Sequence, residues 1–215
     1  MKDVLKAVIF DFDGTIADTE RIYIDNFISM IEDYGLSFDE DDKRHMVGCG
    51  YSEKAEYVSK KYHVDIRNEE EDTALFRKLN ADNIPKDPSG LLYDDVVPAF
   101  QMIRQKGLKI FLCSNTPSDR IEKIVTEMGI ISYIDEIFGK DKFLVRKPSS
   151  VAYEYILKTK GLNRDEVIAI EDSKGGIKSA KGAGIYAVGL CRVSLPEDLN
   201  ADIHISDLNE LKMIL

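Results

Sequence analysis

Two aspartates stand two residues apart in Asp11-Phe12-Asp13-Gly14-Thr15, directly after the apolar run Ala7 to Phe10. Side chains alternate faces in an extended segment, so Asp11 and Asp13 point the same way, and Gly14 permits the turn that follows. Three further places carry reactive groups next to apolar runs. Ser114-Asn115 follows Leu108 to Cys113, Glu171-Asp172-Ser173 follows Val167 to Ile170, and Lys147-Pro148 precedes the helix leading into that last run. Carboxylates about 4 Å apart repel by roughly 4 kcal/mol at an effective dielectric near 20. Four of them gathered on one edge therefore require either a proton or a cation. An all-oxygen donor set selects a hard divalent ion, Mg2+ by preference. A metal, a lysine and a hydroxyl together bind a trigonal oxyanion, which is the chemistry of phosphoryl transfer.

Positioning these groups requires a parallel sheet. The chain alternates short apolar runs with helical patterns, as parallel strands joined by crossover helices do. Strands are expected at Lys6 to Phe10, Leu108 to Cys113, Val167 to Ile170 and Ile185 to Leu190, with an edge strand over residues 202–205. Unbroken apolar runs of this kind suit strands covered on both faces. In open sheets of this class ligands bind beyond the carboxyl ends of the strands, where the reactive groups emerge. Helices are expected at about 95–106, 149–160 and 173–181. Thr116 followed by Pro117 reads as another helix start, with Ile121, Ile124, Val125 and Met128 on one face. Gly107, Gly129 and Gly161 read as helix stops. Roughly a hundred residues separate the first two strands, far more than one crossover helix uses. Helical spacing recurs within them, at Ile24, Phe27, Ile28 and Ile31 and at Ala55, Val58 and Tyr62. An all-helical insertion follows, bounded near Pro85 and Pro88.

The four motif positions, Asp11/Asp13, Ser114, Lys147 and Glu171/Asp172, occur in order and in the right strand contexts. With the insertion, the chain resembles the haloacid dehalogenase superfamily, in the branch with a helical cap that includes β-phosphoglucomutase and sugar-phosphate phosphatases. The resemblance implies an α/β fold, a doubly wound, Rossmann-like parallel sheet formed by residues 1–17 and 90–215, with a helical cap at 18–89 that closes over the reaction. It implies Asp11 as nucleophile and Asp13 as the acid that protonates the leaving alkoxide and later activates water. Ser114 and the Asn115 amide would hold a phosphoryl oxygen, and Lys147 would neutralise charge. Asp11, Asp172 and the Asp13 backbone carbonyl would supply Mg2+ ligands, with Glu171 beside Asp172 either as a further ligand or as a group supporting the ligands. An acid at Asp13 suits an ester, whose alkoxide leaves poorly unprotonated, over a haloacid or a phosphonate.

The mutases of this branch carry a histidine after the Asp-Thr that follows the first motif and an arginine in the cap loop. Here Tyr23 stands at the first place, and Gly48-Cys49-Gly50-Tyr51-Ser52 has no arginine. Hydrolysis of a small phosphorylated metabolite is therefore favoured over a phosphosugar mutase, with Tyr23, Cys49, Tyr51 and Lys54 expected to face the substrate. A receiver-like phosphorylation switch is a third reading, opposed by the insertion and by Asp13.

Other motifs dissolve on inspection. Gly14 lies at the fourth position of its loop and after a strand, unlike the sixth-position glycine of a calcium-binding EF-hand. Gly182-Ala183-Gly184 ends a helix, the reverse of a dinucleotide fingerprint. Ser114 lacks the glycine flanks of a nucleophile elbow. His45, His63 and His204 are isolated, and Cys113 reads as a small strand residue.

With 44% hydrophobic and 32% charged residues in 215, the composition is that of a folded protein. Three cysteines without a CxxC pair encode neither a disulfide framework nor a thiolate zinc site, and no run approaches membrane-spanning length. A cytoplasmic monomer is expected. The net charge is −10, and residues 17–89 hold 18 acidic against 10 basic side chains, a surface that repels nucleic acid.

Overall fold

The computed structural model describes residues 5–192 and 199–215. They divide into two compact units, Met1–Asp18 with Asp87–Leu215, and Thr19–Lys86. Asp18 and residues 87–89, which the sequence reading gives to the insertion, lie with the first unit.

The first unit is built on a parallel sheet of β1 (Ala7–Phe10), β2 (Lys109–Cys113), β3 (Glu136–Phe138), β4 (Val167–Glu171), β5 (Tyr186–Leu190) and β6 (Ile203–Ile205), in the order β3-β2-β1-β4-β5-β6. Every residue of β1 and β4 is buried, which is why both strands read as apolar runs without alternation. The structure extends β4 one residue past the expected end, so Glu171 is a strand residue and a fully buried charge. It also adds β3, which the sequence reading did not foresee.

The second unit holds four helices, α1 (Glu20–Met30), α2 (Glu40–Met46), α3 (Tyr51–Tyr62) and α4 (Glu70–Asp82), and no strand. Ile24, Phe27, Ile31, Met46, Tyr51, Ala55, Val58, Ile66 and Phe76 form its core. Phe27 meets Tyr51 edge-on at 5.5 Å between ring centroids and Phe76 at 6.5 Å.

In the first unit α5 (Val96–Gln105), α6 (Ser118–Glu127), α7 (Val151–Lys160) and α8 (Lys174–Gly182) follow in turn, with a terminal α9 (Leu211–Ile214). Ala152, Tyr153 and Ile156 of α7 and Ile177 and Ala180 of α8 share one core cluster with Ala7, Ile9, Phe111, Ala169 and Ala187 of the sheet. Helix α7 ends where expected, on Gly161 in the left-handed conformation at φ 61°. No helix among the described residues is long and apolar enough to cross a membrane.

Candidate active site

Register brings the motif residues to one level. Phe10 of β1 pairs with Leu112 of β2 on one side and with Ile170 of β4 on the other. The next residues along, Asp11, Cys113 and Glu171, therefore line up at the carboxyl edge, and the Asp11 backbone N–H still donates to Ile170 O at 2.9 Å. Successive connections leave this point in opposite directions, to β2 and β3 on one side and to β5 and β6 on the other. A crevice is expected at such a switch point. Gly14, at φ 77°, turns the chain away from it.

One ammonium ties the three strand ends together. Lys147 Nζ donates to Asp11 Oδ1, to Glu171 Oε1 and to the Cys113 carbonyl, each at 2.6 Å, which uses all three of its protons. Burial alone would lower the Lys147 pKa; Asp11 and Glu171 outweigh it and hold the group charged, well above the ordinary lysine range. Burial raises the Asp11 carboxyl. Lys147 pulls it back, Glu171 and Asp13 push it further up, and the balance lies well above the usual carboxylate range. Cys113 beside them is a spectator, its thiol pushed up to about 12 chiefly by burial.

The Asn115 side chain, expected to help hold a phosphoryl oxygen, does something else. Its Oδ1 accepts from the Lys147 backbone N–H at 3.0 Å and its Nδ2 donates to the Lys147 carbonyl at 3.2 Å, so the amide brackets the lysine's backbone. Both ends of the amide are thereby engaged. The second Nδ2 proton and the Asn115 backbone N–H are left for the expected role.

Glu171 is held by a residue the sequence reading missed. The hydroxyl of Tyr153, fully buried on α7, donates to Glu171 Oε1. On the apolar face of a helix a tyrosine reads as core, and the one available signal is that a buried phenol needs a hydrogen-bond partner. The other oxygen, Glu171 Oε2, is buried with no hydrogen-bond partner. A side chain on Gly176 of α8 would intrude on it, because a Cβ there would lie 1.7 Å from Oε2.

Asp11, Glu171 and Asp172, all buried, each present an oxygen within 4.8 Å of the others. Three carboxyl groups crowd around the single ammonium of Lys147, so either a proton is held among them or a divalent cation cancels the excess negative charge. The orphaned oxygen and the all-carboxylate donor set fit such an ion.

Asp13 is turned elsewhere. Its Oδ2 accepts from Thr116 Oγ1 at 2.8 Å and from Ser114 Oγ at 3.2 Å. The Asp13 carboxyl does not join the Asp11–Glu171–Asp172 cluster, which leaves its backbone carbonyl as the group expected in a metal shell. Thr116 was expected to cap the following helix. Instead α6 starts at Ser118 with Pro117 preceding it and no side-chain cap, because the threonine hydroxyl is committed to Asp13.

In the helical unit two expected substrate contacts prove to be interior groups. Tyr51 is 3% exposed, packed between Phe27 and Phe76, and its hydroxyl donates to the Arg67 carbonyl at 2.9 Å. Lys54 is 1% exposed and donates to the Cys49 carbonyl. Both lie on the inward stripe of α3, so they secure the unit's core rather than its surface. Tyr23 and Cys49 remain half-buried.

Comparison with known proteins agrees with this geometry. The profile of the haloacid dehalogenase-like hydrolases matches residues 8–190. The chain belongs to the haloacid dehalogenase-like hydrolase family. Phosphatases of this family generally use a divalent metal. A family relative, the phosphorylated carbohydrates phosphatase of Thermotoga maritima, is 28% identical over 186 residues, covering 86% of this chain and 84% of that protein. A phosphoglycolate phosphatase of Colwellia psychrerythraea is 26% identical, covering 91% of this chain and 88% of its own. Among solved structures of the same fold, β-phosphoglucomutase from Clostridium difficile superposes with a TM-score of 0.76 at 21% identity, covering 98% of this chain and 94% of its own. Relatives in the family are named phosphatases, and this hydrolase is a phosphoric monoester hydrolase by class.

Proposed function

We propose that this hydrolase is a Mg2+-dependent phosphatase acting on a small phosphate monoester, a sugar phosphate or similar metabolite, with the phosphoryl group carried transiently on Asp11. The observation that carries the proposal is the Lys147 ammonium shared between Asp11 and Glu171 at the end of β1 and β4. It leaves a nucleophilic carboxylate beside a cluster with negative charge to spare.

In the first half-reaction a carboxylate oxygen of Asp11 attacks phosphorus in line. The Asp11 oxygen–phosphorus bond forms, the ester phosphorus–oxygen bond breaks, and the departing alkoxide takes a proton from Asp13. In the second, Asp13 takes a proton from water, the resulting nucleophile attacks phosphorus, and inorganic phosphate leaves with Asp11 restored. Ser114 and the Asn115 backbone N–H hold a phosphoryl oxygen, while Lys147 offsets the charge that Asp11 and the phosphoryl group bring together. Asp11, Asp172, Glu171 and the Asp13 carbonyl are the groups that would hold Mg2+, which when bound supplies positive charge to the phosphoryl oxygens.

The named activities of the relatives, on phosphorylated carbohydrates and on phosphoglycolate, support the substrate class. Hydrolysis is favoured over mutase chemistry because Tyr23 replaces the expected histidine and residues 48–52 lack an arginine. A receiver-like switch falls away with membership of a hydrolase family. All three cysteines are free thiols, in keeping with a reducing, cytoplasmic setting, and the enzyme is taken to act as a monomer.

The test is phosphate release from a panel of sugar phosphates, phosphoglycolate and nucleotides with Mg2+ or EDTA, plus β-glucose 1-phosphate with a bisphosphate primer. Mg2+-dependent release from sugar or acid phosphates supports the reading. Primer-dependent formation of glucose 6-phosphate without phosphate release would replace it with the mutase.

A further inference from the structure

The geometry points to Thr116 as the residue that positions the Asp13 carboxyl for proton transfer, a role that rests on the general-acid reading of Asp13 above. Two hydroxyls converge on Asp13 Oδ2, Thr116 Oγ1 at 2.8 Å and Ser114 Oγ at 3.2 Å, and the Thr116 backbone N–H donates to Ser114 Oγ at 2.9 Å. A hydroxyl has one proton to give. When Ser114 turns that proton to a phosphoryl oxygen, it releases Asp13. Thr116 is then a donor that still holds Oδ2, and with it the direction in which Oδ1 faces the departing oxygen. Proton transfer needs the acid within hydrogen-bond reach of the leaving atom, and a small misplacement is costly.

The turn carrying Thr116 is itself fixed. Its carbonyl accepts from the Lys140 N–H at 3.1 Å, and the Ser114 N–H donates to the Phe138 carbonyl at 3.0 Å, so the end of β3 braces it from one side. Gly139 allows that approach: a Cβ there would lie 2.5 Å from the Thr116 carbonyl oxygen and 2.2 Å from the Ser118 nitrogen. Thr116 lies outside the four motif positions that carry the family resemblance.

The experiment compares benzyl phosphate, whose alkoxide leaves poorly without a proton, with p-nitrophenyl phosphate, whose phenoxide leaves unaided. The readout is kcat/KM, which covers the steps up to departure of the leaving group and excludes hydrolysis of the phosphoryl enzyme. For Thr116→Val the ratio of p-nitrophenyl to benzyl kcat/KM is expected to rise about 10- to 100-fold over the parent, the rate equivalent of one hydrogen bond to a charged group. Thr116→Ser, which keeps the hydroxyl, is expected to restore the parent ratio, and Thr116→Ala serves in place of the valine variant should that one fold poorly. Asp13→Asn is measured alongside. A raised ratio in Asp13→Asn with an unchanged ratio in Thr116→Val overturns the positioning role alone. An unchanged ratio in both overturns the acid reading together with it.

Discussion

Among single residues, the account turns on how one lysine spends its three protons. Lys147 satisfies Asp11, Glu171 and the Cys113 carbonyl at equal distance, so it both holds the orientation of the Asp11 carboxyl, the proposed nucleophile, and compensates two buried carboxyl groups. Removing one partner from a buried charge pair costs roughly 3–5 kcal/mol, because the charge left behind has no solvent. Lys147→Ala is therefore expected to lose stability of that order in urea unfolding at pH 7. Its turnover should fall about 100- to 1,000-fold, the usual loss when a preorganised charge partner is removed. A variant as stable and as active as the parent would contradict the arrangement. Asp11, Ser114, Glu171 and Asp172 are legible in the sequence because each sits at the end of an apolar run that reads as a buried strand, and Lys147 only through its pairing with Pro148 and its place in the series. Thr116 and Tyr153 are not, and for a physical reason. A threonine before a proline satisfies the local rules for a helix cap, and a tyrosine on a helix's apolar stripe satisfies the rules for core. Only the partner, more than a hundred residues away for Thr116, decides between the readings.

Elements were read most securely where burial is two-sided. Strands β1, β4 and β5 declare themselves by unbroken apolar runs and β2 by one that starts after the exposed Lys109, whereas β3 is three residues long with two of them half-buried, too short to carry a pattern. In the helical unit the periodicity of α1 and α3 is visible; Tyr51 and Lys54 are expected at the substrate from their place at the cap loop, whereas Tyr51 continues the Ala55–Val58 stripe and both side chains turn inward. The polar staple between α2 and α3 is invisible in the sequence. Asp42, fully buried on α2, accepts from Tyr57, Lys61 and Tyr62 and from the Asp39 backbone N–H. Burial alone would raise its carboxyl; the hydrogen bonds from Lys61, Tyr62, Asp39 and Tyr57 together hold it well below the usual range. A depressed folded-state pKa means that the stabilisation is complete above the unfolded value near pH 4 and fades as the pH falls toward the folded one. Asp42→Asn should accordingly be less stable than the parent by about 2 kcal/mol at pH 7. That gap is expected to narrow steadily below about pH 4, followed by urea unfolding with far-ultraviolet circular dichroism. A gap independent of pH would show that the carboxylate's charge is not what holds the two helices together.

At the level of the whole molecule, the chain interrupts an α/β unit after its first strand with a helical unit rich in acid, and the reactive groups described here all belong to the α/β unit. That unit alone supplies the proposed nucleophile, a cluster suited to a divalent cation, a hydroxyl and a lysine, drawn from residues 11 to 172. The central claim is that phosphorus passes through a covalent bond to Asp11. Mixing the protein with substrate and Mg2+, quenching in acid within milliseconds and weighing the intact chain tests it directly, with the modified peptide then located by fragmentation. The account predicts one transient phosphoryl group per chain, on the peptide carrying Asp11, absent with EDTA and absent in Asp11→Asn. Steady turnover with the phosphoryl group on another residue, or with full activity retained by Asp11→Asn, would contradict it.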